Sequence, residues 1–367
     1  MAVTEKIIGA AGHASQTANG GRTGEEDFQR IESMFENLGR GDPLAGPSKY
    51  WIELNRQNAA QIAAHGYENF KRTVALNYFT WTRLLPWDSQ VRFLVMRVPL
   101  LTTLRAAFRA LTMSKNDYFN SLGWVQAVAY NFLTLLLWNY LYSLDLGEGV
   151  MALREPTEGN PPLVSLRSGV NVTQDLGNSI LEHDSISSAL SPRATVLEVG
   201  AGYGRTAYVA MKLNPGVRYI IVDIPPALFI AERYLSSVFP ERKIFHYRDF
   251  EDFEVVRAEF EQADLAFFLS TQITQLPAES VDLLINISSL HEMRPDQIAF
   301  YLGEFDRLLR VGGHFFTKQW RRTRVPFEKV AVAQDDYPIP PNWQTIFSRI
   351  SRVQTRFFEA LYQRTRA

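Results

Sequence analysis

Residues 196–205 read Val-Leu-Glu-Val-Gly-Ala-Gly-Tyr-Gly-Arg. The apolar run from Ala194 to Val199 predicts a buried strand, and the residues from Tyr203 to about Leu213 predict a helix. Between them lie three glycines, which let the backbone turn tightly and let a ligand approach without a Cβ in the way. This order of strand, glycine loop and helix predicts a site for a nucleotide-like ligand, the alternative being a plain strand–turn–helix connection.

The acidic residue before the loop indicates the kind of ligand. Glu198 would repel a pyrophosphate but suits a cation, and the phosphate-binding lysine of a P-loop is absent. S-adenosylmethionine carries adenosine and a positive amino-acid tail without a phosphate, so it is the predicted cofactor. The next apolar run ends in Asp223, about 20 residues past the loop, where a carboxylate can accept both ribose hydroxyls. Asp223 could also cap the helix that follows.

Beyond residue 194, predicted strands alternate with predicted helices, which indicates an α/β fold with a mostly parallel sheet and helices on both faces. The third strand is ambiguous between residues 243–247 and 265–269. The loop after it should contact the adenine, so Asp249–Phe250 and Ser270–Gln272 are competing candidates. The predicted strands are 194–199, 218–223, 243–247 or 265–269, 281–287 and 313–319. A predicted helix over 295–310 is expected to stop at Gly312 and Gly313.

The predicted cofactor-binding residues come from these loops and strand ends. They are Glu198, Gly200, Ala201, Gly202, Tyr203, Gly204, Asp223, Ile224, Asp249, Phe250, Asn286, Ile287 and Ser288.

Composition limits the classes of protein that remain. The chain has 367 residues, of which 46% are hydrophobic, so it can form two domains with cores. A net charge of −1 argues against bulk attraction to nucleic acid or to an anionic membrane. The absence of cysteine excludes disulfides and fits a reducing compartment, and no secretory signal is recognised, so a cytoplasmic location is expected. The apolar run Tyr130–Leu144 is shorter than the roughly 20 residues that span a bilayer, and it predicts a buried helix.

We expect the chain to divide near residue 190. Residues 1–24 are predicted to be a disordered tail, 25–150 a helical lid or substrate domain, 151–190 a connecting segment that contributes to the site, and 191–367 a Rossmann-like catalytic domain. Helices are predicted over 27–38 and 48–82 and through 89–144. Tryptophans of the helical part could stack on a sugar ring, although most are expected in the core: Trp51, Trp81, Trp87, Trp124 and Trp138.

His291 and Glu292 follow the fourth predicted strand, where ligands of open α/β sheets lie. Methyl transfer from a sulfonium is an in-line displacement that requires alignment and removal of the acceptor proton. A histidine suits that proton transfer at neutral pH. The two residues are therefore the predicted catalytic pair, the alternative being that they brace the loop before the helix at 295.

Several motifs resemble those of the sugar O-methyltransferases, a branch of the class I S-adenosylmethionine-dependent methyltransferases. They lie within about residues 50–320 and comprise Gly66–Thr73, Glu155–Pro161, Gln174–Glu182, the glycine loop, Ser289–Met293 and Lys318–Trp320. The resemblance implies a Rossmann-like domain, S-adenosylmethionine as cofactor, and a sugar or glycosylated natural product as acceptor. Many members of this family have glutamine at the position of His291, so the family pattern favours Glu292 as the acting residue.

The Gln174–Glu182 motif also has a physical interpretation. On a helix, Gln174, Asn178 and Glu182 form one polar stripe, and their amides and carboxylate suit sugar hydroxyls. Alternatively the stripe is solvated or braces the two domains. The predicted substrate-binding residues are Gln174, Asp175, Asn178, Glu182 and His183.

Alternative functions stay open at this stage. They are N- or C-methyl transfer to a non-sugar product, and cofactor binding without methyl transfer. The six histidines are scattered and no carboxylate cluster has ligand spacing, so no metal site is predicted. The expected partner is a small molecule rather than a nucleic acid or a membrane, and homo-oligomerisation is left open.

Overall fold

A computed structural model describes residues 24–75, 88–99, 101–106, 124–166, 169–324 and 330–365. The predicted tail, except residue 24, lies outside the described residues, as do residues 76–82 of the predicted helix 48–82. Trp81 and Trp87 are outside them as well, and the side chain of Trp124 is not described.

The N-terminal part is helical in the regions that the structure describes. Its helices are α1 (Gly24–Leu38), α2 (Lys49–His65), α3 (Ser89–Arg97), α4 (Trp124–Tyr142) and α5 (Glu148–Met151), with a 3₁₀ helix over Tyr67–Arg72. Within the segment predicted to be helical over 48–82, α2 ends at His65, and the next residue, Gly66, has a positive φ of 74°. A Cβ there would lie 2.4 Å from the Glu68 Oε2 atom.

Helix α4 confirms the expectation of a buried helix. Leu136, Leu137 and Leu141 are fully buried, and Trp138 is 1% exposed. The Trp138 indole N–H donates to the Thr173 carbonyl at 2.9 Å, so this tryptophan belongs to the core and not to a sugar platform. Among the described helices, none has the length and hydropathy needed to cross a membrane.

An eight-stranded sheet forms the C-terminal part. Its strands are β3 (Thr195–Val199), β4 (Arg218–Asp223), β5 (Ile244–Phe245), β6 (Leu265–Leu269), β7 (Val281–Ile287), β8 (Leu309–Trp320), β11 (Trp343–Ile350) and β12 (Phe357–Arg364). The spatial order is β11-β12-β8-β7-β3-β4-β6-β5. Strands β3 to β8 are parallel, whereas β12 and β11 are antiparallel additions beside β8. Two small hairpins pair β1 (Val164–Ser165) with β2 (Asn171–Val172) and β9 (Arg322–Arg324) with β10 (Ala331–Ala333).

Helices cover both faces of the sheet, as predicted. They are α6 (Gln174–Ile186), α7 (Arg205–Leu213), α8 (Ala227–Val238), α9 (Glu254–Gln262) and α10 (Pro295–Leu308). Helices α6, α7 and α8 pack in one hydrophobic cluster, while α9 and α10 pack in the other. Ile31 and Met34 of α1 belong to the first cluster together with Val196 of β3, so the N-terminal helices share a core with the sheet. The predicted domain boundaries stay predictions.

The structure resolves two details of the predicted topology. Both candidates for the third strand enter the sheet, with Leu265–Leu269 beside β4 and Ile244–Phe245 at the edge. The expectation that Gly312 and Gly313 stop the preceding helix is wrong, because α10 ends at Leu308 and both glycines lie inside β8. The pairing with β7 passes from Val281↔Leu309 to Leu283↔His314, so the glycines occupy a bulge.

Candidate active site

A cavity of about 400 Å³ opens at the carboxyl ends of β3, β4 and β7. This is the edge at which ligands of parallel sheets bind. Half of the residues predicted for the site line it: Glu198, Gly200, Ala201, Gly202, Asp223, Ile224, Ile287, Ser288, His291 and Glu292. The strand ends and the loops after them therefore bring the two predicted acids, the glycine loop and the predicted catalytic pair to one cavity.

The glycine loop is shaped by three residues with positive φ: Gly200 at 75°, Gly202 at 62° and Gly204 at 86°. A Cβ on Gly200 would lie 2.6 Å from Ser289 Oγ, and one on Gly204 would lie 2.6 Å from a methyl of Leu235. A Cβ on Gly202 would meet no protein atom within 4 Å. Gly200 and Gly204 are thus required by packing, whereas Gly202 leaves room on the cavity side.

Asp223 holds the glycine loop against the end of β4. Its carboxylate accepts hydrogen bonds from the backbone N–H of Gly202 at 2.8 Å and from that of Ile224 at 2.7 Å. It is not the cap of α8, whose N-cap residue is Pro226. Burial raises the pKa of Asp223 to about 7, against the two backbone hydrogen bonds, which lower it. Each carboxylate oxygen keeps acceptor capacity for a further donor.

Glu198 is the second acid of the cavity and is 2% exposed. Its Oε2 atom accepts a hydrogen bond from the Tyr219 hydroxyl at 2.7 Å. Burial raises the pKa of Glu198 to about 7. A cationic ligand in the cavity would favour the ionised form of this carboxyl.

His291 and Glu292 lie in a 3₁₀ turn after β7, with His291 Nε2 3.8 Å from Glu292 Oε1. Burial lowers the pKa of His291 to about 4 and raises the pKa of Glu292 to about 8. Near pH 7 the imidazole is therefore neutral and the Glu292 carboxyl is mostly protonated. The indole N–H of Trp51 donates to Glu292 Oε2 at 2.8 Å. The Oε1 atom of Gln319 lies 2.8 Å from His291 Nδ1.

The remaining predicted cofactor residues lie outside the cavity lining in the described part of the chain. Asn286 is fully buried and donates from Nδ2 to the Val199 carbonyl at 2.9 Å, so it braces β7 against β3. Tyr203 donates its hydroxyl to Asp175 Oδ2 at 2.9 Å. Phe250 packs edge-on against Phe268 in the hydrophobic cluster beneath α9 and α10.

These positions show which of the predicted cofactor residues face the cavity, while their roles stay predictions. Gly204 packs against α8, Tyr203 points to α6, and the Asp249–Phe250 loop does not reach the cavity. Ser270 lines it instead, because β6, and not β5, is the neighbour of β4. The competing candidate for the adenine loop, Ser270–Gln272, is thus the one at the cavity.

The residues predicted to bind substrate on α6 lie outside the cavity lining. Glu182 is 1% exposed and forms ion pairs with Arg205 at 2.6 Å and with Lys318 at 2.9 Å. Burial alone would raise the pKa of Glu182, but the two cations outweigh it and hold that pKa below its usual value. The Glu182 carboxylate thus joins α6 to α7 and β8, and its predicted role in substrate binding stays a prediction.

The other members of the predicted substrate set are also outside the cavity lining. His183 Nε2 lies 2.9 Å from the amide nitrogen of Asn214, at the end of α7. Gln174 and Asn178 are buried at 1% and 3% exposure, and Asp175 accepts from Tyr203 as described. The stripe faces the protein interior, so the alternative of a polar face that braces neighbouring elements describes it better.

Further lining residues of the cavity come from elements that flank the sheet. Tyr50 and Trp51 come from the start of α2, and Trp320 and Phe357 come from β8 and β12. The rings of Trp320 and Phe357 are 5.0 Å apart. Arg356 and Asp88 also line the cavity and form an ion pair at 2.7 Å. Among these residues, Trp51 and Trp320 were singled out from the sequence, Trp320 as part of the Lys318–Trp320 motif, whereas Tyr50 and Phe357 belong to no motif.

Three comparisons relate the chain to known proteins. No family model matches it. A segment of 61 residues is 41% identical to acetylserotonin O-methyltransferase of Bos taurus, which corresponds to 17% of this chain and 18% of that relative. The chain therefore matches less than a fifth of that relative's length.

Solved structures with a similar backbone fold include proteins from two microorganisms. A protein from Pyrococcus horikoshii OT3 has a TM-score of 0.38 at 13% identity, covering 53% of this chain and 92% of its own. A SAM dependent methyltransferase from Aquifex aeolicus has a TM-score of 0.33 at 13% identity, with coverage of 50% and 89%. The strand order and the glycine loop of this chain themselves define a Rossmann-like fold.

Proposed function

We propose that this protein is an S-adenosylmethionine-dependent O-methyltransferase that acts on a hydroxyl of a neutral sugar or glycoside. The observation that carries the proposal is the single cavity that joins two buried acids and a glycine loop to His291 and Glu292. This arrangement combines a site for a cationic nucleoside with a base for an acceptor hydroxyl.

The residues at the glycine loop suit the cofactor. Asp223 keeps acceptor capacity for ribose hydroxyls, and Glu198 supplies a carboxylate for a positive tail. Gly202 offers a backbone surface on which no Cβ would intervene. When bound there, S-adenosylmethionine supplies a methyl group on a positively charged sulfur.

The chemistry assigned to the catalytic pair follows from its protonation states. Near pH 7 the protonated Glu292 cannot accept a proton, whereas neutral His291 has one unprotonated ring nitrogen. We assign His291 as the base and Glu292 as its neighbour, which reverses the preference of the family pattern. Bound S-adenosylmethionine would supply the methyl group to the acceptor oxygen, and His291 Nε2 would take the proton that this hydroxyl loses. A weak base suffices because the hydroxyl becomes acidic as its oxygen bonds to the methyl carbon.

The charges of the cavity support an uncharged acceptor. Among the described lining residues, both arginines are paired with carboxylates: Arg205 with Glu182 and Arg356 with Asp88. Each arginine therefore already has a counter-charge. A phosphate or carboxylate on the acceptor would have to displace it, which costs free energy. The aromatic wall of Trp51, Trp320 and Phe357 offers apolar faces to a ring.

An aromatic hydroxyl is the second candidate acceptor. The same aromatic wall would accept a flat ring, and the relative that matches 61 residues is named for O-methylation of acetylserotonin. Sugars remain our first choice because the amides of Gln90 and Gln354 also line the cavity and can bind several hydroxyls.

The test uses purified protein, S-adenosylmethionine and a panel of neutral glycosides and phenols. We expect S-adenosylhomocysteine to form together with a product heavier by one methylene unit, as measured by mass spectrometry. Calorimetry with S-adenosylhomocysteine provides a test that needs no acceptor. If the protein binds a dinucleotide but neither cofactor form, the proposal is wrong. If transfer occurs to a nitrogen or carbon acceptor only, the cofactor assignment stands and the acceptor class is wrong.

A further inference from the structure

A buried chain of side-chain amides links the core of the sheet to His291. Asn286 in β7 donates to the Val199 carbonyl at 2.9 Å and accepts from Gln319 Nε2 at 2.6 Å. Gln319 in β8 then reaches the imidazole, with its Oε1 atom 2.8 Å from His291 Nδ1. Asn286 and Gln319 are both 0% exposed. The Nδ1 side of the imidazole therefore contacts side-chain groups that are inaccessible to solvent.

The orientation of the Gln319 amide is fixed by its backbone partners. Its Nε2 atom donates to the Asn286 carbonyl at 3.1 Å, and a carbonyl can only accept. Its Oε1 atom lies 3.3 Å from the backbone N–H of His291, which can only donate. If the oxygen and nitrogen of the amide were exchanged, the oxygen would face the Asn286 carbonyl and the NH₂ group would face the backbone N–H of His291, so neither hydrogen bond could form. Oxygen must therefore face the imidazole.

This orientation decides where the imidazole carries its proton. An amide oxygen accepts, so His291 Nδ1 must donate and hence carries hydrogen. In the neutral ring Nε2 then has the lone pair, although free histidine in water favours the opposite tautomer. We propose that Gln319 is a positioning residue that holds His291 in the tautomer with hydrogen on Nδ1. In this tautomer Nε2 is free of hydrogen and can take the proton of the substrate hydroxyl. The assignment of that proton to the reaction rests on the proposed function, while the tautomer itself does not.

Neighbouring residues provide matched variants. Gln319→Met removes the amide while keeping similar volume. Gln319→Glu places a carboxylate beside Nδ1, which should raise the pKa of His291. Thr317→Val removes only a 3.0 Å contact on the far side of the same amide, because Thr317 Oγ1 accepts from Gln319 Nε2. The backbone acceptor at Asn286 remains in the Thr317 variant, so the amide should keep its orientation.

The tautomer is measured by long-range ¹H–¹⁵N correlation NMR on the full chain labelled with ¹⁵N-histidine. The signal of His291 is assigned by its loss in His291→Ala, among six histidines in the chain. We expect Nδ1–H in the native protein and in Thr317→Val, and a mixture or Nε2–H in Gln319→Met. In Gln319→Glu the imidazole should become protonated at a higher pH than in the native protein.

Two results would overturn the proposal. One is a native His291 that carries its hydrogen on Nε2, and the other is a Gln319→Met variant that retains Nδ1–H. If Gln319→Met does not fold, the native spectrum and the Gln319→Glu titration decide the matter. A purely structural brace would lower thermal stability in the variants without altering the tautomer. Binding of S-adenosylhomocysteine, measured separately by calorimetry, shows whether the proposed function fails independently.

Discussion

The indole N–H of Trp51 and the carboxyl of Glu292 form a 2.8 Å hydrogen bond between residues that are 241 positions apart in the chain. Trp51 lies at the start of α2, and Glu292 follows β7. The bond brings an N-terminal helix to the carboxyl edge of the sheet, beside His291. The proposed role of the N-terminal helices as a cover over the acceptor is supported by this contact and by the presence of Tyr50 in the cavity wall.

Replacing Asp223 should weaken cofactor binding. Asp223→Ala removes the proposed acceptor of the ribose hydroxyls and the carboxylate that holds Gly202, so affinity for S-adenosylhomocysteine should fall by about 1.5–3 kcal/mol. Calorimetry measures this directly. Asp249→Ala is the control, because Asp249 does not line the cavity and affinity should not change. Equal losses of affinity in both variants would indicate that the Asp249–Phe250 loop contacts the adenine.

Cofactor affinity should depend on pH around neutrality. The pKa values of Glu198 and Asp223 are both raised to about 7 by burial, and ligand groups that favour the ionised carboxylates must displace protons below that pH. Affinity for the cofactor should therefore increase as the pH rises from 5.5 to 8. Below pH 7, each of the two carboxyls that must lose a proton on binding should lower the affinity by up to about tenfold per pH unit. Calorimetry in buffers of different ionisation enthalpy should detect proton release. Affinity that is constant across this range would show that neither carboxyl responds to the ligand.

The proposed roles of His291 and Glu292 can be separated by mutation and by the pH profile of turnover. His291→Ala should lower the rate by about 10²–10⁴-fold while affinity for S-adenosylhomocysteine is retained, because proton transfer is lost and the cofactor contacts remain. Glu292→Gln should cost much less, since Glu292 is mostly protonated near pH 7.

The pH profile distinguishes the two candidates for the base. With His291 as base, at a pKa of about 4, kcat should remain near its plateau between pH 6 and 8. With Glu292 as base, at a pKa of about 8, kcat would fall about tenfold per pH unit below 8. Near-normal turnover in both single variants would show that neither residue is the base, and that the two residues only stabilise the loop before α10.

Glu182 should matter for stability rather than for substrate binding. Glu182→Gln leaves Arg205 and Lys318 buried without their shared carboxylate, which should lower the free energy of unfolding by about 3–5 kcal/mol. Urea unfolding measures the loss. Glu53→Gln is a matched control, because its pair with Arg56 is exposed and should contribute less than about 1 kcal/mol. A stable Glu182→Gln protein with weakened acceptor binding would restore the predicted substrate role.

The local chemistry of the site was predictable, because it depends on residues close together in the chain. The strand, glycine loop and helix around Gly202 follow from hydrophobic periodicity and from glycine's tolerance of positive φ. Alternating strands and helices predict a parallel sheet, whose carboxyl edge then collects Asp223 and His291. The location of these residues at one edge therefore required no knowledge of long-range contacts.

The roles of other predicted residues were not predictable from spacing. A polar stripe on α6 looks the same in sequence whether it meets a ligand, solvent or buried cations. Glu182 meets Lys318, which is 136 residues away, and only the packing of α6 against β8 creates that pair. The loop after β5 does not line the cavity, because a second apolar run, β6, lies beside β4.

The sequence by itself determined the α/β fold class, the glycine loop and the edge of the sheet at which the cavity opens, since these follow from local patterns and from the geometry of parallel strands. Only the tertiary structure decided which polar groups meet there. Gln319 reaches His291 across 28 residues, and Trp51 reaches Glu292 from the opposite end of the chain. Burial then shifts the pKa of His291 downward and that of Glu292 upward. The cost of removing a charge from water depends on the complete folded surroundings of the group, which no local pattern contains.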